Sequence, residues 1–556
     1  MLYPISNKYR SILSLNGIWK FKCVDDNFSP KDALKDYKLM AVPSSINDIV
    51  IDKKIKEWVG KIVFETTFSL PIYEEKTYFL RLGGTSSKSE IFLNGKFIGE
   101  TFNGFYPLEL KLDDLKEENR LSIVIDNRLS FQTFPIGNVE DNKQITKHDF
   151  YHFTGIHRDV FIISKPNKYI EDIIINTCYE NDYHKIKVEV KGETTNVKYT
   201  VLDKDDNVVT ELKNDEIYIE DVKLRSTSHP YLYKLKVETD TDLYIQKFGI
   251  RKIEVKEGKL LLNDEPIYLK GFGMHEDSFI VGRGNSLPIN VRNFELLKWI
   301  NANSFRTSHY PYDDSWYDLA DELGFLIIDE VPAVGMRLWD VCYREDRINN
   351  KTKEIHKRMI KELIERDKNH PSIIMLSVAN EPETKEDLSS PYFVDIVNYA
   401  KSLTNLPITI VEVSKFWESK VKDLVDVVCI NRYYGWYEDH GDLSSIQPHL
   451  EYELNLWFDN YKKPIIITEF GADTVEGLHS LPSESFSEER QVEYLNEHFK
   501  LFDKLDFVVG EHIWHFADFK TKEEGRRVRG NRKGVFTKDR QPKMAAHFIK
   551  KRWENK

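Results

Sequence analysis

Cysteine is scarce in this chain. The four residues Cys23, Cys178, Cys342 and Cys429 lie too far apart for a disulfide framework or a C-x-x-C metal site. They read as reduced, mostly buried thiols. No His or carboxylate cluster has ligand spacing, so neither a metal nor another cofactor is expected. Long apolar runs are missing as well: no segment is long enough to span a bilayer, and the first ten residues lack the basic start and apolar core of a secretory leader. The expectation is a cytoplasmic protein with no membrane partner. Nor is there a basic stripe. The 79 Lys and Arg are interspersed among 91 Asp and Glu, for a net charge of −12, which argues against a nucleic-acid partner.

What is present is a soluble-protein composition, 31% charged and 41% hydrophobic, over 556 residues, enough for two to four domains. The first 165 or so residues alternate short β-rich runs with turns, as in Val63-Phe64-Glu65-Thr66-Thr67-Phe68, and this period of two predicts a β-sandwich. Asn94-Gly95 between two such runs predicts a hairpin, because both residues tolerate positive φ. Lys165-Pro166-Asn167-Lys168 reads as a boundary. The next ninety or so residues alternate in the same way and suit an immunoglobulin-like sandwich. From about Lys256 the pattern becomes βα repetition. Eight candidate strands close on Gly273, His309, Glu330, Glu381, Glu412, Tyr433, Glu469 and Trp514, the number of a (β/α)8 barrel. Helices are predicted over 291–300 and 315–323, the second closed by Gly324. The domain limits drawn are 1–166, 167–255 and 256–556.

Two of the eight strands end on glutamates with punctuation behind them: Asn380-Glu381-Pro382 and Glu469-Phe470-Gly471. A single such tripeptide reads equally well as a strand terminus facing water. Two of them, on the fourth and seventh strands, would face each other across one barrel mouth, where catalytic groups of this fold stand. Facing carboxylates can cleave a glycosidic bond if one is protonated and the other ionised. Glu381 is the expected acid/base and Glu469 the expected nucleophile. The charge on Glu469 is expected to raise the proton affinity of Glu381. Net retention, with the carboxyls about 5 to 5.5 Å apart, is the predicted stereochemistry. Asn380 is placed to bind a sugar 2-hydroxyl. Arg306, His309, Asn431 and Tyr433 share the mouth. Trp514 is either an aromatic wall under the ring or a packed core side chain. On composition alone, Arg526, Arg527, Arg529, Arg532 and Lys533 read as a solvated basic loop.

Longer stretches carry a resemblance. The run from Arg366 to Ser372 leading into Asn380-Glu381-Pro382, together with Ile467-Thr468-Glu469-Phe470-Gly471-Ala472, resembles the acid/base and nucleophile segments of the family 2 glycoside hydrolases. Arg306-Thr307-Ser308-His309-Tyr310-Pro311, Asn431-Arg432-Tyr433-Tyr434-Gly435-Trp436-Tyr437 and His148-Asp149-Phe150 match as well. The resemblance covers nearly the whole chain and, within the family, points to the bacterial β-glucuronidase branch. It implies a jelly-roll sugar-binding domain, an immunoglobulin-like sandwich, a catalytic barrel and association into dimers or tetramers. Asn531-Arg532-Lys533-Gly534 resembles the Asn-x-Lys motif of that branch, which implies that Lys533 pairs with a sugar carboxylate and Asn531 donates to it. Carried over in the same way, Asp149 would reach the barrel mouth to contact hydroxyls, and Tyr437 and Arg527 would line the carboxylate side. Leu376 departs from the Trp found in many bacterial relatives. The segment 335–353 looks shorter than the long loop of some gut bacterial enzymes, which would leave an open mouth suited to oligosaccharide-sized leaving groups. A β-galacturonidase or β-galactosidase of the same family is the alternative. A sugar-binding protein with an inactive barrel is disfavoured, since both glutamates are retained.

Overall fold

In the computed structural model, which describes residues 1–180, 183–212, 216–219, 221–337 and 347–556, the two alternating regions are antiparallel sheets. The first sandwich packs a six-stranded sheet, with Gly17–Val24, Lys61–Ser69 and Glu118–Asp126 adjacent at its centre, on a four-stranded one built on Val160–Pro166 and Lys76–Leu82. Every second residue turns inward, so Trp19, Phe21, Phe64, Ile91 and Ile123 form one apolar core. The predicted hairpin joins Lys88–Leu93 to Lys96–Thr101, and Asn94 and Gly95 adopt φ of 53° and 83° as a two-residue primed turn requires. Three- and four-stranded sheets then form the second sandwich around Ile173, Val188, Leu235 and Val237.

The third region is a closed barrel of eight parallel strands: β1 (Leu269–Gly273), β2 (Ser304–Arg306), β3 (Leu326–Glu330), β4 (Ile373–Asn380), β5 (Ile408–Glu412), β6 (Val428–Asn431), β7 (Ile465–Glu469) and β8 (Val508–Ile513). Their continuous apolar runs follow from burial on both faces. Leu376 is buried in this core. A small antiparallel sheet at 253–266 seals the bottom, packing Leu260 and Leu262 against Leu269, Leu326, Ile374, Cys429 and Ile466. The predicted helices run slightly longer than expected, as Leu287–Trp299, with Pro in its first turn, and Asp314–Leu323, where Asp313 caps the N-terminus and Gly324 the C-terminus at φ 85°. The link from β5 to β6, residues 413–427, contains no helix. His309 and Tyr433 fall just beyond their strands rather than on them.

Cys429 is buried, Cys23 is half-buried, and both are free thiols; the side chain of Cys178 and the whole of Cys342 lie outside the described residues. So do 338–346, the heart of the loop expected to be short. No described helix is long and apolar enough to cross a membrane.

The first sandwich is locked to the barrel by Arg158. Its buried guanidinium donates to the Phe105 carbonyl at 2.6 Å, the Pro311 carbonyl at 2.5 Å and Glu276 Oε2 at 3.1 Å. Phe105 also stacks on Tyr310 with ring centres 4.8 Å apart. Truncating Arg158 strands the Glu276 charge in a dry seam. Arg158→Leu is therefore expected to cost about 3 to 5 kcal/mol, read as a lower urea midpoint. A loss below about 1 kcal/mol, the level of an exposed pair, would show that the seam does not depend on this contact.

Candidate active site

β2, β3, β4, β6 and β7 bring one group of polar side chains to a single floor. Arg306, at the end of β2, is fully buried. Its Nη1 donates to both oxygens of Glu330 at 2.8 Å and to Asn380 Oδ1 at 3.3 Å, and its Nη2 donates to Glu469 Oε1. Tyr433 donates its hydroxyl to Glu469 Oε2 at 2.7 Å. Asn431 presents Nδ2 to Glu381 Oε1 at 2.9 Å, its own Oδ1 being held by the Thr468 hydroxyl at 2.8 Å. Both expected carboxylates thus stand at one mouth and are joined through a single polar layer. Glu381 itself adopts φ 45°, an unusual conformation for a side-chain-bearing residue, and its backbone N–H is anchored to the Val411 carbonyl at 2.8 Å.

Burial pushes Glu469 up to about 8, against the opposing Arg306 charge and with help from the neighbouring Glu381 charge. Desolvation outweighs the neighbouring charges on Glu469 because it lies deeper than Glu381, with side-chain exposures of 6% and 26%. Arg306 and Tyr433 are the groups that favour the ionised form of Glu469.

His309 Nδ1 lies 2.9 Å from Glu330 Oε1, and that carboxylate fixes the tautomer with the proton on Nδ1. Burial holds the ring below its usual range, so it is neutral and offers Nε2 as an acceptor. Trp514 stacks on His309 with centres 5.2 Å apart, so it is both packed and part of the pocket wall. Two glycines admit it: a Cβ on Gly273 would lie 2.5 Å from the indole, and one on Gly471 1.8 Å from the Trp514 carbonyl oxygen. The glycine of Glu469-Phe470-Gly471 is thus required by the strand-end packing of the tryptophan.

Beside this floor lies a second cluster, a donor cage. Asp149, from a loop of the first sandwich, accepts from Arg527 Nε at 3.2 Å, Arg527 Nη2 at 2.8 Å and Asn531 Nδ2 at 2.7 Å. Arg527 Nη2 also reaches the Tyr437 oxygen at 2.9 Å, and its Nη1 reaches Asp473 at 3.1 and 3.3 Å. Lys533 donates to Tyr437 at 2.8 Å and to Asp473. A guanidinium has five N–H donors; four of those of Arg527 are taken by protein, one Nη1 N–H being shared between the two oxygens of Asp473. What remains is one N–H each on Arg527, Lys533 and Asn531 and the hydroxyl proton of Tyr437. The basic loop is solvated only in part: Arg526 and Arg529 are exposed, whereas Arg527, Asn531 and Lys533 are buried. Arg527 lies in this cage against Tyr437, and the oxygens of Asp149 are turned to Arg527 and Asn531. Among the described residues no group of three or more His, Cys, Asp or Glu is arranged to hold a metal ion.

A family model described as the TIM barrel domain of glycosyl hydrolases family 2 matches residues 253–556, and one described as the sugar binding domain of the same family matches 12–166. The chain belongs to glycoside hydrolase family 2. Like the family's other members it is a glycosidase. A β-glucuronidase of Streptococcus agalactiae is 39% identical over 100% of this chain and 98% of its own. A solved structure described as an uncultured Clostridium sp. β-glucuronidase superposes with a TM-score of 0.97 at 42% identity, covering 100% of both chains. A β-glucuronidase from Ruminococcus gnavus in complex with D-glucuronic acid has a TM-score of 0.94 at 38% identity and 99% coverage of each chain.

Sequence reasoning missed Glu330 and Asp473 as parts of this family 2 pocket. Glu330 carried a signal, since it is a third strand-end glutamate and part of the buried layer. Asp473 carried none beyond its position shortly after Glu469. The packing argument gives a direct test. Gly471→Ala is expected to cost about 1 to 3 kcal/mol and to change tryptophan fluorescence, whereas Gly525→Ala, where a Cβ meets nothing within 4 Å, should do neither. Equal behaviour of the two variants would remove the role given to Gly471.

Proposed function

We propose that this family 2 enzyme is a retaining exo-β-glucuronidase, which hydrolyses β-D-glucuronides to D-glucuronate and an alcohol. The observation that carries the reading is the set of leftover donors. Lys533, Asn531 and Tyr437 each keep one unpaired proton beside the glutamate floor, the arrangement a planar carboxylate needs. The relatives named as β-glucuronidases, and the D-glucuronic acid bound by the R. gnavus protein, support the same substrate class.

In this reading Glu469, ionised, attacks the anomeric carbon while Glu381 protonates the leaving oxygen; water then releases the glycosyl-enzyme with Glu381 as base. Arg306 and Tyr433 disperse the Glu469 charge and receive it again when the ester breaks. Asn380 has spent Oδ1 on Arg306 and on Asn431 at 3.4 Å, so its Nδ2 is available to the sugar 2-hydroxyl. His309 Nε2 accepts from another hydroxyl, and Trp514 closes the wall beneath the ring. Discrimination by charge-assisted hydrogen bonds contributes about 1.5 to 3 kcal/mol per contact, or roughly 10- to 100-fold.

The deciding experiment compares aryl β-glucuronide, β-galacturonide, β-galactoside and β-glucoside, with NMR of the first-formed anomer and Glu469→Gln as inactive control. The glucuronide should be hydrolysed fastest, β-glucuronate should appear first, and Lys533→Ala should lose roughly 10- to 100-fold of the preference over glucoside. Equal wild-type rates on glucuronide and galactoside would refute the substrate, and α-glucuronate appearing first would refute retention.

The pH dependence has a definite sign. Attack requires ionised Glu469, whose proton is favoured by burial, so kcat/KM should rise with pH through the apparent constant of Glu469. Tyr433 lowers that constant by donating to Glu469. Tyr433→Phe should therefore move the acid limb upward, by about one unit or more. An acid limb that stays put or moves down would show that the phenol does not stabilise the ionised carboxylate.

A further inference from the structure

Asp473 is the one member of the donor cage that neither the sequence motifs nor the proposed chemistry uses. It leaves β7 four residues after Glu469 and is 3% exposed. Its Oδ2 takes Lys533 Nζ and Arg527 Nη1, and its Oδ1 takes the backbone N–H of Arg532 at 2.9 Å. Although burial favours its protonated form, Lys533 and then Arg527 hold it below the usual carboxylate range. It is therefore a buried anion that two cations depend on.

Charge and valence together define what it does. Lys533 and Arg527 carry two positive charges, Asp149 and Asp473 two negative ones, so the empty cage is neutral. A sugar carboxylate is then not drawn in by a bare cationic hole; it is recognised by where the remaining protons point. The Lys533 ammonium would rotate freely on its own, since its three N–H groups are equivalent. Here two of them are fixed, one on Asp473 and one on Tyr437, and the charge rests over the Tyr437 and Trp436 rings at 4.5 and 5.2 Å. Only one direction is left for the third. The bond from Asp473 to the Arg532 amide also pins the backbone between Asn531 and Lys533, which sets the spacing of their two leftover donors.

We infer that Asp473 is a positioning residue for carboxylate recognition, a fixed internal counter-ion that aims Lys533 and registers it against Asn531. The inference rests on the glucuronide reading above. Because Asp473 acts on the carboxylate-reading groups and touches neither Glu381 nor Glu469, its removal should separate charged from neutral substrates.

Asp473→Asn keeps the acceptor for the Arg532 amide and removes the negative charge. It is expected to lower kcat/KM for an aryl β-glucuronide by about tenfold or more, mainly through KM, while aryl β-glucoside turnover stays within about twofold, below the effect of a single hydrogen bond. Asp473→Glu, which restores the charge, should recover part of the lost preference. Thermal midpoints are measured alongside. Parallel loss on both substrates with a lowered midpoint would reduce Asp473 to a structural residue and overturn the inference. An unchanged glucuronide preference in a folded Asp473→Asn would overturn it as well. A wild type without glucuronide preference would instead fail the parent reading, so the two failures are distinguishable.

Discussion

A single buried guanidinium holds the catalytic floor together. Arg306 has no water around it, and an unpaired charge there would be prohibitive. It is compensated by two carboxylates from different strands, Glu330 and Glu469, and by the Asn380 amide oxygen. Each partner then constrains something further out. Glu330 sets the His309 tautomer, Asn380 is left with its donors unpaired, and Glu469 is kept from retreating into a neutral, apolar pocket. The reactive geometry is thus a by-product of satisfying one cation in a low-dielectric core.

The floor and the donor cage solve related problems with different balances. On the floor, three glutamates are set against one arginine, and burial first, then the Glu381 charge, raises the cost of ionising Glu469. In the cage, two acids neutralise two bases and the surplus is of hydrogen-bond donors rather than charge. The polarity is therefore locally sorted: proton-deficient chemistry beside a donor-rich binding corner. Water exclusion by Trp514, His309 and Phe150, whose rings form a continuous wall, strengthens both.

Much of this was legible in the sequence. Eight buried strands read as apolar runs because a parallel barrel strand meets no solvent, and strand-end glutamates stood out because Pro382 and Gly471 punctuate them. The hairpin at Asn94-Gly95 was legible because its φ values exclude most residues. Less legible was anything set by the depth of a side chain. The raised proton affinity of Glu469 is one such property, because its desolvation is not visible in a sequence. Asp473 was invisible, since its partners Arg527 and Lys533 lie on a loop after the next strand. Asp149 was reached only through resemblance, no periodicity connecting a sandwich loop to a barrel mouth.

The hydrogen bond between Asn531 and Asp149 joins residues 382 positions apart. Synthesised from its N-terminus, the protein makes Asp149 early and must wait for nearly all of the barrel before Arg527, Asn531 and Lys533 emerge to meet it. A truncated or half-folded chain could bear both glutamates and still present an unclosed binding corner. The cage closes only when the first domain has docked against the loop that follows the last barrel strand.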